Sequence, residues 1–475
     1  MEFTLALVKT NNVTLIKSIS GIRGTIGGAE DQGLTPIDVV KYAAAYCAII
    51  QAKAGQRKVK IIMGRDARIS GPMVAGLVAQ TLVGMGAEVI DLGLSTTPSV
   101  EVAVVHFNAQ GGVILTASHN PGQWNALKLL NDKGEFISAQ EGQDLLALAN
   151  AGTIEFASIE QLGSITHVDF LEEHLKQVIA LPLVDREAIR SAKFKVAVDA
   201  VNSSGGIYVP AILKALGVDD IVELYCIPNG LFPHNPEPLP EHLTELSKVV
   251  LDQHCDLGIT VDPDVDRLAF VCEDGSMFGE EYTLVAVADY VLTHKKGNTV
   301  SNLSSTRALR DITIQHGGQY VAAAVGEVNV VQAMKDTYAV IGGEGNGGVI
   351  YPDAHYGRDA LAGIALFLSH LAHKKMKMSD LRDHYPKYVI SKNKIDLVAG
   401  MDVDGILERV QSLFPDASVS TEDGVKFDFE EGWVHLRKSN TEPIVRVYAE
   451  HTTTEQANEL AQKVIQAVKQ IAGLI

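Results

Sequence analysis

The sequence predicts an α/β fold in which three related mixed α/β domains are followed by a smaller C-terminal α+β domain. A pattern of β-branched strand, polar loop, amphipathic helix and second apolar strand recurs three times, and such units form parallel sheets covered by helices. The end of the chain breaks this pattern. The 475 residues also exceed one compact core, because domains usually hold about 100–200 residues.

The three repeats can be placed on the sequence in order. In the first, the segment VKIIMGRDAR begins at Val59 and is followed by a helix from Pro72 to Met85 and the strand AEVIDLG. In the second, FKVAVD at 194–199 precedes the helix VPAILKALG and the strand IVELY. In the third, NTVSN at 298–302 precedes a helix ending near 316–318 and the strand QYVAAAVG. This order predicts that the two strands of each repeat run parallel.

The C-terminal region reads differently. After a polar stretch, KKMKMSDLRDHYPKY, come alternating strand-like segments and a final helix. The predicted apolar face of this helix is Leu460, Val464, Ile465, Val468 and Ile471. We therefore predict domains at residues 1–155, 156–275, 276–375 and 376–475, carrying the four motifs described below in that order.

Composition and charge limit the kind of protein this can be. Hydrophobic residues make up 46% and charged residues 21%, the balance of a globular protein. The net charge of −18 argues against nucleic acid as a partner. Apolar runs of membrane-spanning length and a cleavable apolar leader are not expected. The four dispersed cysteines predict reduced thiols, and we expect a cytoplasmic protein without a membrane partner.

The sharpest local motif contains three aspartates, Asp262, Asp264 and Asp266, directly after the apolar strand CDLGIT. Alternate residues of extended backbone face one side, so the three carboxylates converge and call for a hard divalent cation such as Mg²⁺. A calcium EF-hand is the competing metal site, but its sixth position would be Arg267 instead of glycine and the flanks are strand-like. A solvated acidic turn is the non-functional alternative.

The segment TASHNP follows the apolar strand GGVIL and places Ser118 beyond the strand's carboxyl end, where α/β sheets bind ligands. A Ser–His hydrolase lacks support, because the G-x-S-x-G elbow is missing and the adjacent His119 is not expected to point back at Ser118. A structural turn remains an alternative. Lys128, ten residues later, could supply a positive charge or act as a base.

Two further loops have the composition of ligand sites. The loop Gly342–Gly348 holds five glycines around Glu344 and Asn346, so its backbone and carboxylate can approach a ligand, although a plain flexible turn is equally possible. It matches neither nucleotide-binding glycine motif. The segment RKSNTEP, from Arg437, combines guanidinium and hydroxyl donors suited to a phosphate dianion, or forms a solvated turn. Lone loop arginines, such as Arg68, predict no function on their own.

Together and in this order, TASHNP, DPDVDR, GEGNGG and RKSNTEP resemble the four active-site loops of the α-D-phosphohexomutase superfamily. The resemblance spans the chain from about residue 18 to its end. It implies three mixed α/β domains and a smaller C-terminal domain around a central cleft. The GEGNGG form is similar to archaeal-type members, whereas bacterial members often have serine and histidine where this chain has Asn346 and Gly348. The residue that replaces this histidine is left open.

The resemblance also implies roles for individual residues. Ser118 would carry the transferable phosphoryl group, and its phosphate would join Asp262, Asp264 and Asp266 in binding one Mg²⁺. The candidate catalytic residues are Ser118, Arg23, Lys128 and His119, with Arg23 and Lys128 implicated in handling a proton. The candidate substrate-binding residues are Glu344, Asn346, Arg437, Ser439, Asn440, Thr441 and Arg446.

The function implied is a phosphosugar mutase that moves a phosphoryl group between the 6- and 1-positions of a hexose phosphate through a bisphosphate intermediate, with a hexose bisphosphate as activator. Glucosamine phosphate is the preferred assignment, because Thr-Glu-Pro and Arg446 resemble phosphoglucosamine mutases. The Ser-Asn-Thr within the same loop is closer to phosphomannomutase/phosphoglucomutase, which stays an alternative. A non-catalytic phosphosugar-binding protein and a phosphatase are rivals. We expect a monomer or homodimer.

Overall fold

The computed structural model describes residues 13–18, 21–396, 402–438 and 444–473. The chain divides into two compact units, which are described separately. Unit 1 comprises the chain up to Ser95 together with Val100–Asp169 and Asn229–Phe232. Unit 2 comprises Thr96–Ser99, Phe170–Pro228 and the chain from Pro233 onward.

Unit 1 is built on a seven-stranded mixed sheet in the order β1-β2-β6-β5-β3-β4-β7. Its strands are β1 (Ile16–Ser18), β2 (Gly21–Thr25), β3 (Lys60–Arg65), β4 (Glu88–Leu94), β5 (Gly111–Leu115), β6 (Trp124–Leu130) and β7 (Ser164–His167). The helices along this part of the chain are α1 (Pro36–Ala54), α2 (Gly71–Gly84), α3 (Thr97–His106) and α4 (Ala139–Ala151). β3 pairs parallel with β4 across α2, which confirms the first predicted repeat.

The central strand of this sheet is buried, and the first turns of α1 and α4 are capped by side chains. Every residue of β5 is buried. Thr35 and Ser138 each close a capping box at the start of α1 and α4, which satisfies backbone N–H groups that the first helical turn leaves open. The result is a rigid platform from which the loop after β5 projects.

Unit 2 contains three sheets, in the orders β11-β10-β8-β9, β13-β12-β14-β15 and β16-β20-β19-β18-β17. The strands are β8 (Lys195–Asp199), β9 (Asp220–Leu224), β10 (Leu257–Val261), β11 (Leu268–Cys272), β12 (Asn298–Asn302), β13 (Tyr320–Ala323), β14 (Ala339–Glu344), β15 (Gly348–Ile350), β16 (Val389–Asp396), β17 (Ser418–Ser420), β18 (Val425–Asp428), β19 (Trp433–Lys438) and β20 (Ile444–His451). The helices are α5 (Leu171–Ile179), α6 (Arg186–Ala192), α7 (Gly205–Leu216), α8 (Thr244–Asp252), α9 (Glu280–His294), α10 (Ala308–Gln315), α11 (Glu327–Asp336), α12 (Ala360–Lys374), α13 (Met378–Asp383), α14 (Val403–Gln411) and α15 (Thr454–Ile471).

The second and third predicted repeats are confirmed, because β8 pairs parallel with β9 and β12 with β13. The C-terminal sheet is antiparallel throughout its described pairs and packs against α14 and α15, as an α+β domain should. The predicted apolar face of α15 is buried at Val464, Ile465 and Val468 and packs partly buried at Leu460 and Ile471.

α12 is the central helix of unit 2. Its residues from Ala360 to Ala372 are buried, so it is surrounded by protein on all sides. Phe367 on this helix stacks on Phe270 of β11 with ring centroids 3.9 Å apart. Among the described helices, none combines the length and apolarity needed to cross a membrane.

Arg307, just before α10, ties the third sheet region to the C-terminal domain within unit 2. Its side chain is 4% exposed. Its guanidinium donates to the backbone oxygens of Phe429, Glu430 and Gly432 at 2.9–3.0 Å and to the carboxylate of Asp428. The buried guanidinium of Arg307 thereby provides hydrogen-bond donors to three backbone carbonyl oxygens in the turn between β18 and β19.

We predict that Arg307→Ala lowers the free energy of unfolding by about 3 kcal/mol or more, because it leaves buried acceptors without a donor. Arg310→Ala is the matched control. Arg310 lies 3.7 Å from the same Asp428 but is half-buried, so its loss should cost less than about 1 kcal/mol. Urea unfolding followed by tryptophan fluorescence and circular dichroism measures both values. Equal effects of the two substitutions would contradict the assignment.

Candidate active site

Ser118 lies in unit 1, in the loop directly after β5. It is 7% exposed and has φ of +48°, a left-handed conformation that is uncommon for residues other than glycine. Its backbone N–H donates to the Thr116 hydroxyl at 2.9 Å. Such a conformation persists only where the surroundings enforce it. The loop is therefore built to hold this serine in one orientation.

The enforcing residue is Arg68, to which the sequence alone assigned no function. Its guanidinium is fully buried and donates to the carbonyl oxygens of Ser118, Asn120, Pro121 and Trp124. Local patterns in the sequence do not reveal these contacts, because Arg68 and its partners are 50 to 56 residues apart along the chain. Arg68 holds the serine loop through these four carbonyl oxygens.

The same arginine is itself held in place. Its Nε donates to Asp66 Oδ2 at 2.9 Å, and the Thr116 hydroxyl donates to the same oxygen at 2.6 Å. The ring of Phe232 lies 5.0 Å from the guanidinium carbon of Arg68. Arg68 is thus oriented from several sides before it orients Ser118.

His119 departs from the expectation that it points away from Ser118. Its Nδ1 lies 3.4 Å from Ser118 Oγ, a long hydrogen-bond distance. The contact occurs at a residue with a left-handed backbone, a conformation that sequence alone does not reveal. This expectation was wrong, and the contact keeps His119 among the candidate residues.

Arg23 and Lys128 lie on neighbouring strands of the same sheet. Arg23 of β2 pairs with Ala126 of β6, and Lys128 is two residues further along β6. Alternate residues share a face, so both cations project to the same side of the sheet. Arg23 also donates to the Asn120 side chain at 3.2 Å. Unit 1 therefore gathers Arg23, Lys128 and His119 with the serine loop.

The three aspartates lie in unit 2, in the turn between β10 and β11. All three are 0% exposed, and one carboxylate oxygen from each lies within 4.8 Å of the others. The flanking segments are antiparallel strands, so the EF-hand is excluded. Full burial excludes the solvated acidic turn.

Backbone geometry and two side chains shape this turn. Val265 has φ of +63°, which is rare for a β-branched residue. The backbone N–H groups of Asp266 and Arg267 donate to Asp262 Oδ1 at 3.2 and 3.1 Å. The Thr97 hydroxyl donates to Asp264 Oδ2 at 2.6 Å. The turn is thus ordered by donors from within the protein.

The donor set fits a hard divalent cation. Three buried carboxylates at this spacing repel one another strongly in a low-dielectric interior. An ion that prefers oxygen ligands, such as Mg²⁺, removes that repulsion. Asp262, Asp264 and Asp266 are the residues that would hold it.

The glycine-rich loop forms the hairpin of β14 and β15, with Glu344 paired opposite Gly348. Glu344 Oε1 accepts hydrogen bonds from the Asn302 side chain at 2.9 Å and from the Gly326 backbone at 3.2 Å. Asn346 Oδ1 accepts from the Gly348 backbone at 3.2 Å. We refer to residues 342–350 as the sugar hairpin, after the role that the resemblance implies for Glu344.

Arg358 joins this hairpin to the aspartate turn and was missed by sequence reasoning. Its guanidinium donates to Asp266 Oδ2 at 2.8 Å, Glu344 Oε2 at 3.0 Å and Glu327 Oε2 at 2.8 Å. Burial by itself lowers the pKa of Arg358, but the three carboxylates raise this pKa well above its usual range. The glycine at position 348 was a sequence signal for this contact. Without a side chain at 348, the hairpin leaves room for the side chain of Arg358.

The C-terminal domain holds the remaining candidates. Arg437 of β19 and Arg446 of β20 are directly opposite each other across the antiparallel pair. Two like charges at such a pair are unfavourable without an anion between them, so the arrangement suits phosphate. Asp423 lies 3.8 Å from the Arg437 guanidinium. Ser439, Asn440 and Thr441 lie outside the described residues.

Comparison with protein families covers almost all of the chain. The four models of phosphoglucomutase/phosphomannomutase match in order: α/β/α domain I at residues 15–154, domain II at 172–275, domain III at 279–388 and the C-terminal domain at 387–467.

Individual relatives agree with the family models. A phosphoglucomutase/phosphomannomutase of Thermococcus kodakarensis is 33% identical, with 92% of this chain and 96% of the relative covered. A phosphoglucosamine/phosphogalactosamine mutase of Sulfurisphaera tokodaii is 32% identical, with coverages of 94% and 98%. The crystal structure of a phosphoglucomutase/phosphomannomutase family protein from Burkholderia thailandensis has a TM-score of 0.83 at 25% identity and covers 97% of this chain and 98% of that chain. The chain therefore belongs to the phosphoglucomutase/phosphomannomutase family, and it is an isomerase of the phosphohexomutase type.

Proposed function

We propose that this phosphohexomutase exchanges a phosphoryl group between the 6- and 1-positions of a hexose phosphate, with glucosamine phosphate as its preferred substrate. The observation that carries the proposal is the cluster of three buried aspartates joined through Arg358 to Glu344. It supports an oxygen-rich cation site beside a carboxylate that would contact the sugar. Mg²⁺ bound there would neutralise charge on the transferring phosphoryl group.

Ser118 is the proposed phosphoryl carrier. In the first step the bond between Ser118 Oγ and phosphorus breaks and a bond from phosphorus to the substrate hydroxyl forms, which gives a hexose bisphosphate. After this intermediate reorients, the phosphoryl group at its other end returns to Ser118. A hexose bisphosphate from solution would restore the phosphoserine whenever it is lost. Positioning and charge neutralisation supply most of the catalysis in phosphoryl transfer.

The hydroxyl that attacks must also lose a proton. Among the cations of unit 1, Lys128 can exchange a proton, whereas the guanidinium of Arg23 stays charged. Lys128 is therefore assigned the proton transfer, and Arg23 is assigned the stabilisation of negative charge on the reacting oxygens. His119, at 3.4 Å from Ser118 Oγ, is assigned the orientation of the serine.

A separate phosphate clamp makes reorientation of the intermediate possible. Arg437 and Arg446 are directly opposed, and the proposed clamp also includes Ser439, Asn440 and Thr441. Either phosphate of the bisphosphate presents the same group to this clamp. The clamp therefore holds the distal end in both halves of the reaction without distinguishing between sugars.

The charge around the sugar hairpin supports an amino sugar. Arg358 supplies one positive charge, whereas Asp266, Glu327 and Glu344 supply three negative ones. An ammonium group gains from this excess, whereas a neutral hydroxyl only forms a hydrogen bond. The difference is about 1–2 kcal/mol, which corresponds to about five- to thirtyfold in preference. Glucose and mannose phosphates stay a second candidate class, since relatives of similar identity are named for both kinds of substrate.

The first prediction from this proposed function concerns Ser118. Ser118→Ala should fold normally and lose at least about a thousandfold in kcat, because the phosphoryl group has no carrier. Ser164→Ala, on the exposed end of the sheet in β7, is the control and should keep full activity. Intact-mass analysis should find a phosphorylated fraction in the wild type and the control only. Substantial mutase activity in Ser118→Ala would refute the mechanism.

The second prediction concerns the metal. Asp264→Asn should abolish turnover or greatly raise the Mg²⁺ concentration required, because one charged ligand is lost. Asp252→Asn, at the exposed end of α8, is the control and should leave the Mg²⁺ dependence unchanged. Activity is measured after chelation and stepwise return of Mg²⁺. If exhaustive chelation leaves full activity, the aspartates are only structural.

The third prediction concerns the sugar. Asn346→Ala should change the ratio of kcat/KM between glucosamine, glucose and mannose 1-phosphates, because Asn346 lies on the sugar hairpin. Arg437→Ala should lower all three values by a similar factor, because the clamp binds a group common to all. Assays use identical Mg²⁺ and bisphosphate activator. A clear preference of the wild type for glucose or mannose phosphate would transfer the assignment to the second candidate class.

A further inference from the structure

We propose that Arg358 is a positioning residue that couples the aspartate turn to the sugar hairpin, so that metal affinity and sugar preference depend on one guanidinium. The inference rests on the proposed roles of Asp266 and Glu344. It goes beyond them because it assigns the coupling to a residue outside the four active-site motifs.

The contacts of Arg358 have the geometry that coupling requires. Each of its three guanidinium nitrogens donates to a different carboxylate, so Asp266 and Glu344 are held by one rigid, planar group. The remaining oxygen of Asp266 is then directed by this bond. A shift of the guanidinium must move or release both carboxylates together.

The sugar hairpin is shaped to receive this side chain. A Cβ atom at Gly348 would lie 2.3 Å from Cδ of Arg358, which is closer than real Cβ atoms approach, and 3.0 Å from Cγ of the same residue. The stem of Arg358 therefore fills the space that a side chain at position 348 would need.

The backbone around Arg358 is attached to both loops that it joins. The N–H of Asp359 donates to Val349 of β15 at 2.9 Å, and the N–H of Ala360 donates to Val265 of the aspartate turn at 3.2 Å. Asp359 also caps α12 through its carboxylate. The buried α12 therefore holds Arg358 at a fixed position between hairpin and turn.

This arrangement gives a direction to the coupling. A cation bound by the aspartates would draw on the charge of Asp266 and repel the guanidinium, which then bonds more strongly to Glu344. Metal binding would in this way fix the carboxylate that faces the sugar. By reciprocity, a ligand that fixes Glu344 favours metal binding.

Two variants test the position of the guanidinium without removing its charge. Gly348→Ala displaces the stem of Arg358, and the backbone at 348 needs no left-handed conformation. Arg358→Lys keeps the positive charge but replaces the planar fork of three nitrogens with a single ammonium nitrogen, so the three carboxylates can no longer be held in the same geometry. The matched controls are Gly76→Ala, where a Cβ meets open space, and Arg310→Lys, a half-buried arginine in the same unit. Circular dichroism and thermal melting establish that each full-length variant is folded.

The first measurement is Mn²⁺ binding to the protein without substrate, followed by electron paramagnetic resonance. We expect both test variants to bind Mn²⁺ about tenfold or more weakly, as is typical when a group that orients a metal ligand is disturbed. Both controls should stay within about twofold of the wild type. If both test variants keep wild-type Mn²⁺ affinity, the proposal is overturned and Arg358 is only structural.

The second measurement is the ratio of kcat/KM for glucosamine 1-phosphate to glucose 1-phosphate. Gly348→Ala should reduce this ratio severalfold, since Glu344 loses its fixed partner. An unchanged ratio beside weakened Mn²⁺ binding would overturn the coupling. If the wild type converts no hexose phosphate while both variants lose Mn²⁺ affinity, the proposed function fails, but the dependence of Asp266 on Arg358 stands.

Discussion

The burial of like charges is the constraint on which this structure depends. Asp262, Asp264 and Asp266 are removed from solvent with carboxylate oxygens within 4.8 Å of one another, although desolvating each ion costs several kcal/mol. The surrounding fold supplies part of the compensation through backbone N–H groups, Thr97 and Arg358. A hard divalent cation held by the three carboxylates would supply the rest.

The two functional turns, one in each unit, use the same physical device. Each follows a fully buried strand, and each contains a residue other than glycine in the left-handed region, Ser118 at +48° and Val265 at +63°. Each is held by an arginine with a buried guanidinium, Arg68 for the serine loop and Arg358 for the aspartate turn. A planar group with several donors suits this task, because it fixes several acceptors in one geometry. Strain at the turn is therefore maintained by donors from distant segments.

The sequence predicted the fold and the motifs because those features are local. Strand and helix periodicity gave the three parallel repeats, and alternation in extended backbone gave the converging aspartates. The roles of Arg68 and Arg358 were not predicted, because their partners lie far away along the chain, up to 56 residues for Arg68 and up to 92 for Arg358. The residues next to a loop arginine do not indicate whether it is buried. The contact between Ser118 and His119 was missed for a different reason. It depends on a left-handed conformation that side-chain identity alone does not reveal.

Gly348 and Arg358 show how such a pair could be recognised. A large residue at 348 and the stem of Arg358 compete for one space, since a Cβ at 348 would lie 2.3 Å from Arg358 Cδ. The two positions are therefore constrained as a pair: glycine at 348 leaves room for the stem of Arg358, and a side chain at 348 would displace that stem. The composition of the sugar hairpin thus determines which cation stands beside Glu344. In this chain that cation is Arg358, directly before α12. It bonds to Glu327, Glu344 and Asp266, so the glycine at 348 also affects a residue of the aspartate turn.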